Sequence, residues 1–329
     1  MQDFLKKLIP QKTDTPSELR RKIILLSSSV LLLACLIALV VIFAGERRDR
    51  ELNSELAELH TSTVNVITTT TAATTVTETE AVTTAPPPPP LVVLPEMQAF
   101  IDENPDTAGW IKVDTGVDNV VMQTGDNDKY LDETFDGHYS EAGTVFADFR
   151  GVVNDYNNKQ ADNIVLYGHN QRDNSMFGTL KKYKTTRVNP NGFEYYKEHP
   201  TFTFSNLYEN YTYKIVAIFI IEVEPYQNPT GEIFDYHNFI RFTSPEVSDY
   251  TFDNWVEKIT AHSAIDTNVD MEKGDKFMTL STCSNEFEPS RLVVIGRRLR
   301  EGESPDVDTT KAAINPDAIE PDLDYIYKN

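Results

Sequence analysis

The run Thr279-Leu280-Ser281-Thr282-Cys283 ends in a thiol with no cysteine to pair with, because the chain's second cysteine, Cys35, lies inside an apolar span. Oxidising compartments pair cysteines into disulfides, so one unpaired cysteine closing a Thr-rich strand outside a membrane reads first as a nucleophile. A thiol of ordinary pKa, about 8.5, is only a few per cent thiolate near neutrality, so such a nucleophile needs a cation or base beside it. Arg291 stands eight residues on. Tyr167-Gly168-His169-Asn170 supplies an imidazole just past the apolar run Ile164-Val165-Leu166-Tyr167, at a point where Gly168 lets the chain turn. The competing readings are an inert buried cysteine acting as a small hydrophobe and an arginine in an ordinary ion pair. His60, His138, His199, His237 and His262 have no such context and are read as solvated loop residues.

These residues must be held by elements far apart in sequence. Ile23 to Ala44 is 22 residues without a charge, long enough at 1.5 Å per residue to cross about 30 Å of hydrocarbon. It runs through Val40-Val41-Ile42-Phe43 into Gly45-Glu46-Arg47-Arg48 with no small-x-small cleavage site, which points to an uncleaved anchor. Six basic residues precede it (Lys6, Lys7, Lys12, Arg20, Arg21, Lys22) and three follow (Arg47, Arg48, Arg50), so residues 1–22 are expected in the cytoplasm and the rest outside. Residues 45–95 read as a stalk. Arg47 to His60 is charged and can prolong the helix, Thr61 to Thr84 lacks helical or strand period, and Pro86 to Pro90 adds about 15 Å of stiff polyproline extension. Glu301 to Asn329 carries eight acidic residues against two lysines and reads as a disordered tail.

Residues 96–300 are enough for one domain with a full core. Of the formal net charge of −21, about −14 falls on this domain, which makes nucleic acid and anionic lipid surfaces poor partners. Short β-branched and aromatic runs bounded by Gly, Asn, Asp and Pro predict strands near Trp110–Val113, Val120–Gln123, Thr144–Ala147, Asn163–Tyr167, Thr201–Phe204, Tyr211–Val223, Lys276–Thr282 and Arg291–Leu299. Helices are predicted at Pro95–Glu103, Ser175–Lys182, Gly192–Glu198 and Pro245–Ala261, the last with Ser244 and Pro245 as N-cap and first helical residue. Many strands without regular strand-helix alternation predict a mainly β fold, a closed or nearly closed barrel with helices at its edges. Asp126-Asn127-Asp128 hints at a calcium loop, but Leu131 stands where an EF-hand needs glycine, so neither metal nor cofactor is expected.

The Cys283 block with Arg291 resembles the signature of the sortases, the membrane-anchored transpeptidases of Gram-positive bacteria. Tyr167-Gly168-His169-Asn170 followed by Ser175-Met176-Phe177-Gly178-Thr179-Leu180 is similar to their class B subgroup. The likeness continues through Gly109-Trp110-Ile111-Lys112-Val113, Val120-Val121-Met122-Gln123, Asp126 to Leu131 and Ala142 to Asp148, and covers essentially all of Glu96 to Arg300. It implies an eight-stranded barrel, an N-terminal helical pair and a long helix between the sixth and seventh strands, where Pro245–Ala261 sits. It also implies attack by Cys283 on a threonine carbonyl in a C-terminal sorting motif of a secreted protein, with Asn-Pro-x-Thr-like motifs favoured. A thioester forms, and an amine of a peptidoglycan precursor or a pilin resolves it. In this scheme His169 handles protons, Arg291 donates to the oxyanion, and Asn170 and Ser281 support them. Two other readings stay open: a secreted cysteine peptidase that delivers the acyl group to water, and a non-enzymatic wall-spanning surface protein.

Overall fold

The computed structural model describes residues 10–11, 14–71, 91–114, 116–154, 160–186, 189–242 and 251–328. The chain divides into two compact units, Met1–Leu52 and Asn53–Asn329. The first consists of the start of helix α1 (Pro16–Thr71), which holds the one segment among the described residues long and apolar enough to span a membrane. Its apolar window is exposed throughout. Contrary to expectation, the helix continues through Thr61 to Thr71. Threonine lowers helix propensity only slightly, and lengthening a helix already formed requires no new nucleus. Residues 72–90, with the polyproline run, lie outside the described residues.

In the second unit, the α1 segment from Asn53 packs on the domain through buried Leu56 and through His60, which stacks on Trp110 with ring centroids 4.3 Å apart. His60 is therefore not a solvated loop residue, and burial pulls its imidazole pKa down. Helix α2 (Pro95–Glu103) follows, with proline in its first turn as the sequence predicts.

Eight strands close into a barrel in the order β1 (Thr107–Val113), β2 (Val117–Met122), β3 (Phe146–Ala147), β4 (Asn163–Tyr167), β8 (Phe277–Cys283), β9 (Ser290–Arg298), β6 (Asn210–Glu222) and β5 (Thr201–Asn206). The eight predicted strands are these, although only two residues of the Thr144–Ala147 run join the ladder. A further pair, β7 (Ile265–Asp266) and β10 (Ala313–Ile314), forms a separate two-stranded sheet. Most barrel neighbours are antiparallel, but β4 and β8 run parallel with Tyr167 opposite Ser281. Both strands therefore end on the same rim.

β8 is buried on both faces because it separates two cores. Met278 and Leu280 join the main core with Leu292 and Val294 of β9. Phe277, with Val293 and Ile295, joins a second core under helix α4 (Phe252–His262), whose Trp255 and Ile259 are fully buried. A strand buried on both faces reads as a continuous run, not an alternation. Helix α4 starts later than predicted, with Thr251 as its N-cap accepting from Asn254 N at 3.3 Å. The expected Ser244-Pro245 start lies outside the described residues. Helix α3 (Asn191–Glu198) matches its prediction closely, whereas Ser175–Lys182 becomes a 3₁₀ turn, Gly178–Tyr183. Asn174 and Met176 hold φ of 68° and 51°, outside the helical region, which delays that turn's start.

The C-terminal tail is ordered, against expectation. Arg297 on β9 is completely buried, and Glu303 takes its guanidinium on both oxygens at 2.7 and 2.6 Å, with Lys214 Nζ donating to the same carboxylate at 2.8 Å. Part of the tail's acidity thus neutralises a buried base. Beyond it, β10 pairs with β7, Ala318 is buried, and a short helix α5 (Leu323–Ile326) ends the described chain.

Burial opposes ionisation of Glu303, but the hydrogen bond from Arg297 is the larger influence and holds the carboxyl well below the usual range. A carboxyl lowered in this way stabilises the fold above its unfolded pKa, about 4.3, and loses that contribution as pH falls toward the folded value. Glu303→Gln is expected to cost about 3 kcal/mol at pH 7, as for loss of one partner of a buried pair. Denaturant titrations of both proteins from pH 7 to 3 check this: the gap should be full above about pH 5 and narrow below about pH 4.

Candidate active site

Alternation along β8 puts Cys283 on the same face as Ser281, and the antiparallel register sets Arg291 of β9 directly opposite Cys283. Arg291 Nη1 lies 3.6 Å from Cys283 Sγ and donates to Ser290 O at 3.0 Å. The thiol is partly exposed at the rim. Between them the loop 284–290 is pinched by Ser284 N to Ser290 O at 3.3 Å and by a 2.6 Å contact between the two buried hydroxyls. The sequence spacing of eight is the spacing of a hairpin whose ends face each other.

His169 reaches the same rim through the parallel pair. It lies two residues past Tyr167, as Cys283 lies two past Ser281, and Gly168 N keeps the pairing going by donating to Ser281 O at 3.2 Å. A Cβ at Gly168 would come within 2.8 Å of the Phe177 ring, which is why glycine stands there. His169 Nε2 faces Leu131 O at 2.9 Å. Asn170, read from the resemblance as a supporting residue, donates from Nδ2 to Cys283 O at 2.7 Å. It braces the backbone at Cys283. Ser281 is buried, and its hydroxyl is 2.6 Å from Tyr236 Oη, so it supports the site from beneath.

The sequence reading missed the layer under the rim. Asp148 is wholly buried and accepts from Tyr167 Oη at 2.9 Å and from Arg150 Nε and Nη2 at 2.8 and 2.6 Å. Burial would raise its carboxyl pKa, but these hydrogen bonds outweigh it and hold the pKa below the ordinary value. Arg150 also donates to Asn238 Oδ1 at 2.5 Å and His237 O at 3.1 Å. The Tyr236–Asn238 turn, which supplies the hydroxyl to Ser281, is therefore tied to the end of β3. Burial pushes the Tyr167 and Tyr236 phenols up, so both stay protonated at physiological pH. The one available signal was Asp148-Phe149-Arg150, an opposite-charge pair at the end of an apolar run.

Comparison with known proteins agrees with this geometry. A family model for the sortase domain matches residues 114–299. Sortase B of Listeria monocytogenes is 31% identical over 197 residues, 59% of this chain and 70% of that protein. A crystal structure of sortase B from Bacillus anthracis in complex with AAEK1 superposes with a TM-score of 0.57 at 24% identity, covering 79% of this chain and all of that one. A Staphylococcus aureus sortase B–substrate complex gives a TM-score of 0.57 at 21% identity over 78% of this chain and 99% of that one. The barrel is thus shared in fold, and with the family match extending over the catalytic rim the chain belongs to the sortase family, as a cysteine transpeptidase of class B.

Proposed function

We propose that Cys283 is the nucleophile of this transpeptidase, with His169 as its proton donor and acceptor and Arg291 as the oxyanion donor. The observation that carries this reading is the 3.6 Å contact between Arg291 Nη1 and Cys283 Sγ across a paired hairpin, on the rim that also ends in His169. Cys283 Sγ adds to the scissile carbonyl, and Arg291, already aimed at that point, donates to the oxygen as negative charge develops there. With Nε2 of His169 held by Leu131 O, Nδ1 is the nitrogen left to protonate the leaving amine and later to deprotonate the incoming one. Both transfer and hydrolysis pass through the thioester, and its resolution by an amine instead of water is what makes the reaction a transfer.

The donor in this proposal is a secreted protein with a C-terminal sorting motif, and the acceptor is an amine of a peptidoglycan precursor or a pilin. The Staphylococcus aureus neighbour solved as a substrate complex supports a peptide donor. The apolar part of α1 would be a single-pass membrane anchor, with its N-terminus cytoplasmic and the barrel outside, on the balance of flanking basic residues.

Cys283→Ala is expected to abolish thioester formation with a sorting peptide while the thermal melt stays near wild type, since only a small, partly exposed group is lost. Mass spectrometry for a peptide adduct on Cys283 checks it; turnover above background in the variant would end the assignment. Arg291→Lys keeps the charge but loses the planar fork, so kcat should fall by about 10² to 10³, as for removal of one oxyanion donor, with little change in melting temperature. Steady-state kinetics beside a melt decide this, and near wild-type kcat would remove the oriented-donor role. Protease added to intact protoplasts should remove residues 96–329 and spare the first twenty, whereas protection of the barrel would reverse the orientation.

A further inference from the structure

After β9 leaves the barrel at the end opposite the catalytic rim, the C-terminal segment returns along its side. Glu303 fixes its start to Arg297, Thr309 Oγ1 reaches Lys197 O at 3.4 Å, β10 pairs with β7, and Asn315 Nδ2 donates to Ser263 O at 2.9 Å. Ile319 N then donates to Ala261 O at 2.8 Å, and Ala318 is buried. Helix α5 brings Ile326 against the main core, and Tyr327 Oη donates to Glu286 O at 2.5 Å. Glu286 belongs to the loop between Cys283 and Arg291.

That loop is held by side-chain donors aimed at its backbone carbonyls. Asn170 takes Cys283 O at 2.7 Å, Lys184 Nζ takes Ser284 O at 2.8 Å, and Gln227 Nε2 takes Pro289 O at 2.7 Å. Lys184 also pairs with the Glu286 carboxylate at 2.6 Å. Those donors come from segments within the barrel domain; the fourth, Tyr327 on Glu286 O, comes from the C-terminal strap. Phe287, buried in the main core, fixes the middle of the loop. This loop starts and ends at the last pair of the β8–β9 ladder, Cys283 opposite Arg291, so its displacement bears on the end of the ladder where the two side chains meet.

We propose that the C-terminal strap is a positioning element for catalysis, with Tyr327 as the residue that clamps the 284–290 loop and so holds Arg291 against Cys283. Tyr327 bonds the loop backbone at Glu286 O, three residues past Cys283, so its effect is expected on the geometry of attack and not on donor binding. This rests on Cys283 and Arg291 acting as proposed above, and the two ideas fail separately: activity in Cys283→Ala sinks the assignment of the nucleophile, whatever the strap does.

The test uses the full chain with two changes: Tyr327→Phe, which removes one hydroxyl, and a chain ending at Asp322, which keeps Glu303, Ile314 and Ala318 in place. Loss of a single net hydrogen bond predicts a fall in kcat of about two- to tenfold for Tyr327→Phe, with a larger fall for the shortened chain. KM for a sorting peptide should stay within about twofold, and the alkylation rate of Cys283 by iodoacetamide should drop alongside kcat, because a freed loop lets the guanidinium leave the sulfur. Melting temperature is read beside both. Unchanged kcat and alkylation rate in both variants would overturn the proposal. So would a loss confined to KM, or one accounted for by the unfolded fraction at the assay temperature.

Discussion

The parallel pairing of β4 with β8 is the constraint on which the rim carrying Cys283, His169 and Arg291 depends. Antiparallel neighbours bring the end of one strand beside the start of the next, and that geometry joins Cys283 to Arg291 across a short loop. It cannot bring together two residues that each follow the C-terminal end of a strand. Only a parallel pair does that, and Tyr167 opposite Ser281 carries His169 to the level of Cys283 although 113 residues separate Asn170 from Cys283, its hydrogen-bond partner. The connection between the two strands must therefore travel the length of the barrel, and it does so through β5, β6 and α4. Those intervening elements also build the second core, so the covering of β8's outer face and the positioning of its last residue come from one topological requirement.

What the sequence made legible follows from what is local. Cys283, Arg291 and His169 stood out because each sits at the end of a short apolar run, and the strands themselves showed in β-branched and aromatic residues bounded by turn formers. Register was not legible: nothing in Ile164-Val165-Leu166-Tyr167 says that its neighbour is parallel. Nor was the direction of Asn170, since an amide beside an imidazole in sequence can equally turn to a carbonyl across the sheet. Tyr236 lay hidden for the same reason. Its partner Ser281 is 45 residues away, and a tyrosine in a loop of mixed composition carries no mark of burial.

The tail shows where composition misleads. Acidic excess with few apolar residues argues for disorder when the charges have only solvent to face. Here the compensating base, Arg297, is part of an otherwise apolar strand, Leu292 to Gly296, and nothing local reveals that its side chain points into the protein. Once Arg297 is buried, an acid must follow it. Lys214 on the adjacent β6 reinforces the site, and the strap then needs only a few apolar contacts, at Ala312, Ala318 and Ile326, to stay ordered. Helix α1 shows the converse, for its Thr-rich end lacks any helical period yet inherits helix from the segment before it.

Polar groups buried near the rim divide according to what they hold. Asp148 with Arg150 and Tyr167 fixes the end of β3 to the Tyr236–Asn238 turn, and that turn fixes Ser281. Asn170, Lys184, Gln227 and Tyr327 fix the loop after Cys283 through its carbonyls. A barrel strand is rigid through its ladder, but Cys283 is the last residue of β8 in that ladder, and the loop that follows it is held by side chains where backbone pairing ends. The Cys283 thiol is partly exposed, so burial does not immobilise it. Hydrogen bonds to the backbone at Cys283 and in the loop after it add to the pairing with Arg291 in holding Cys283 in place.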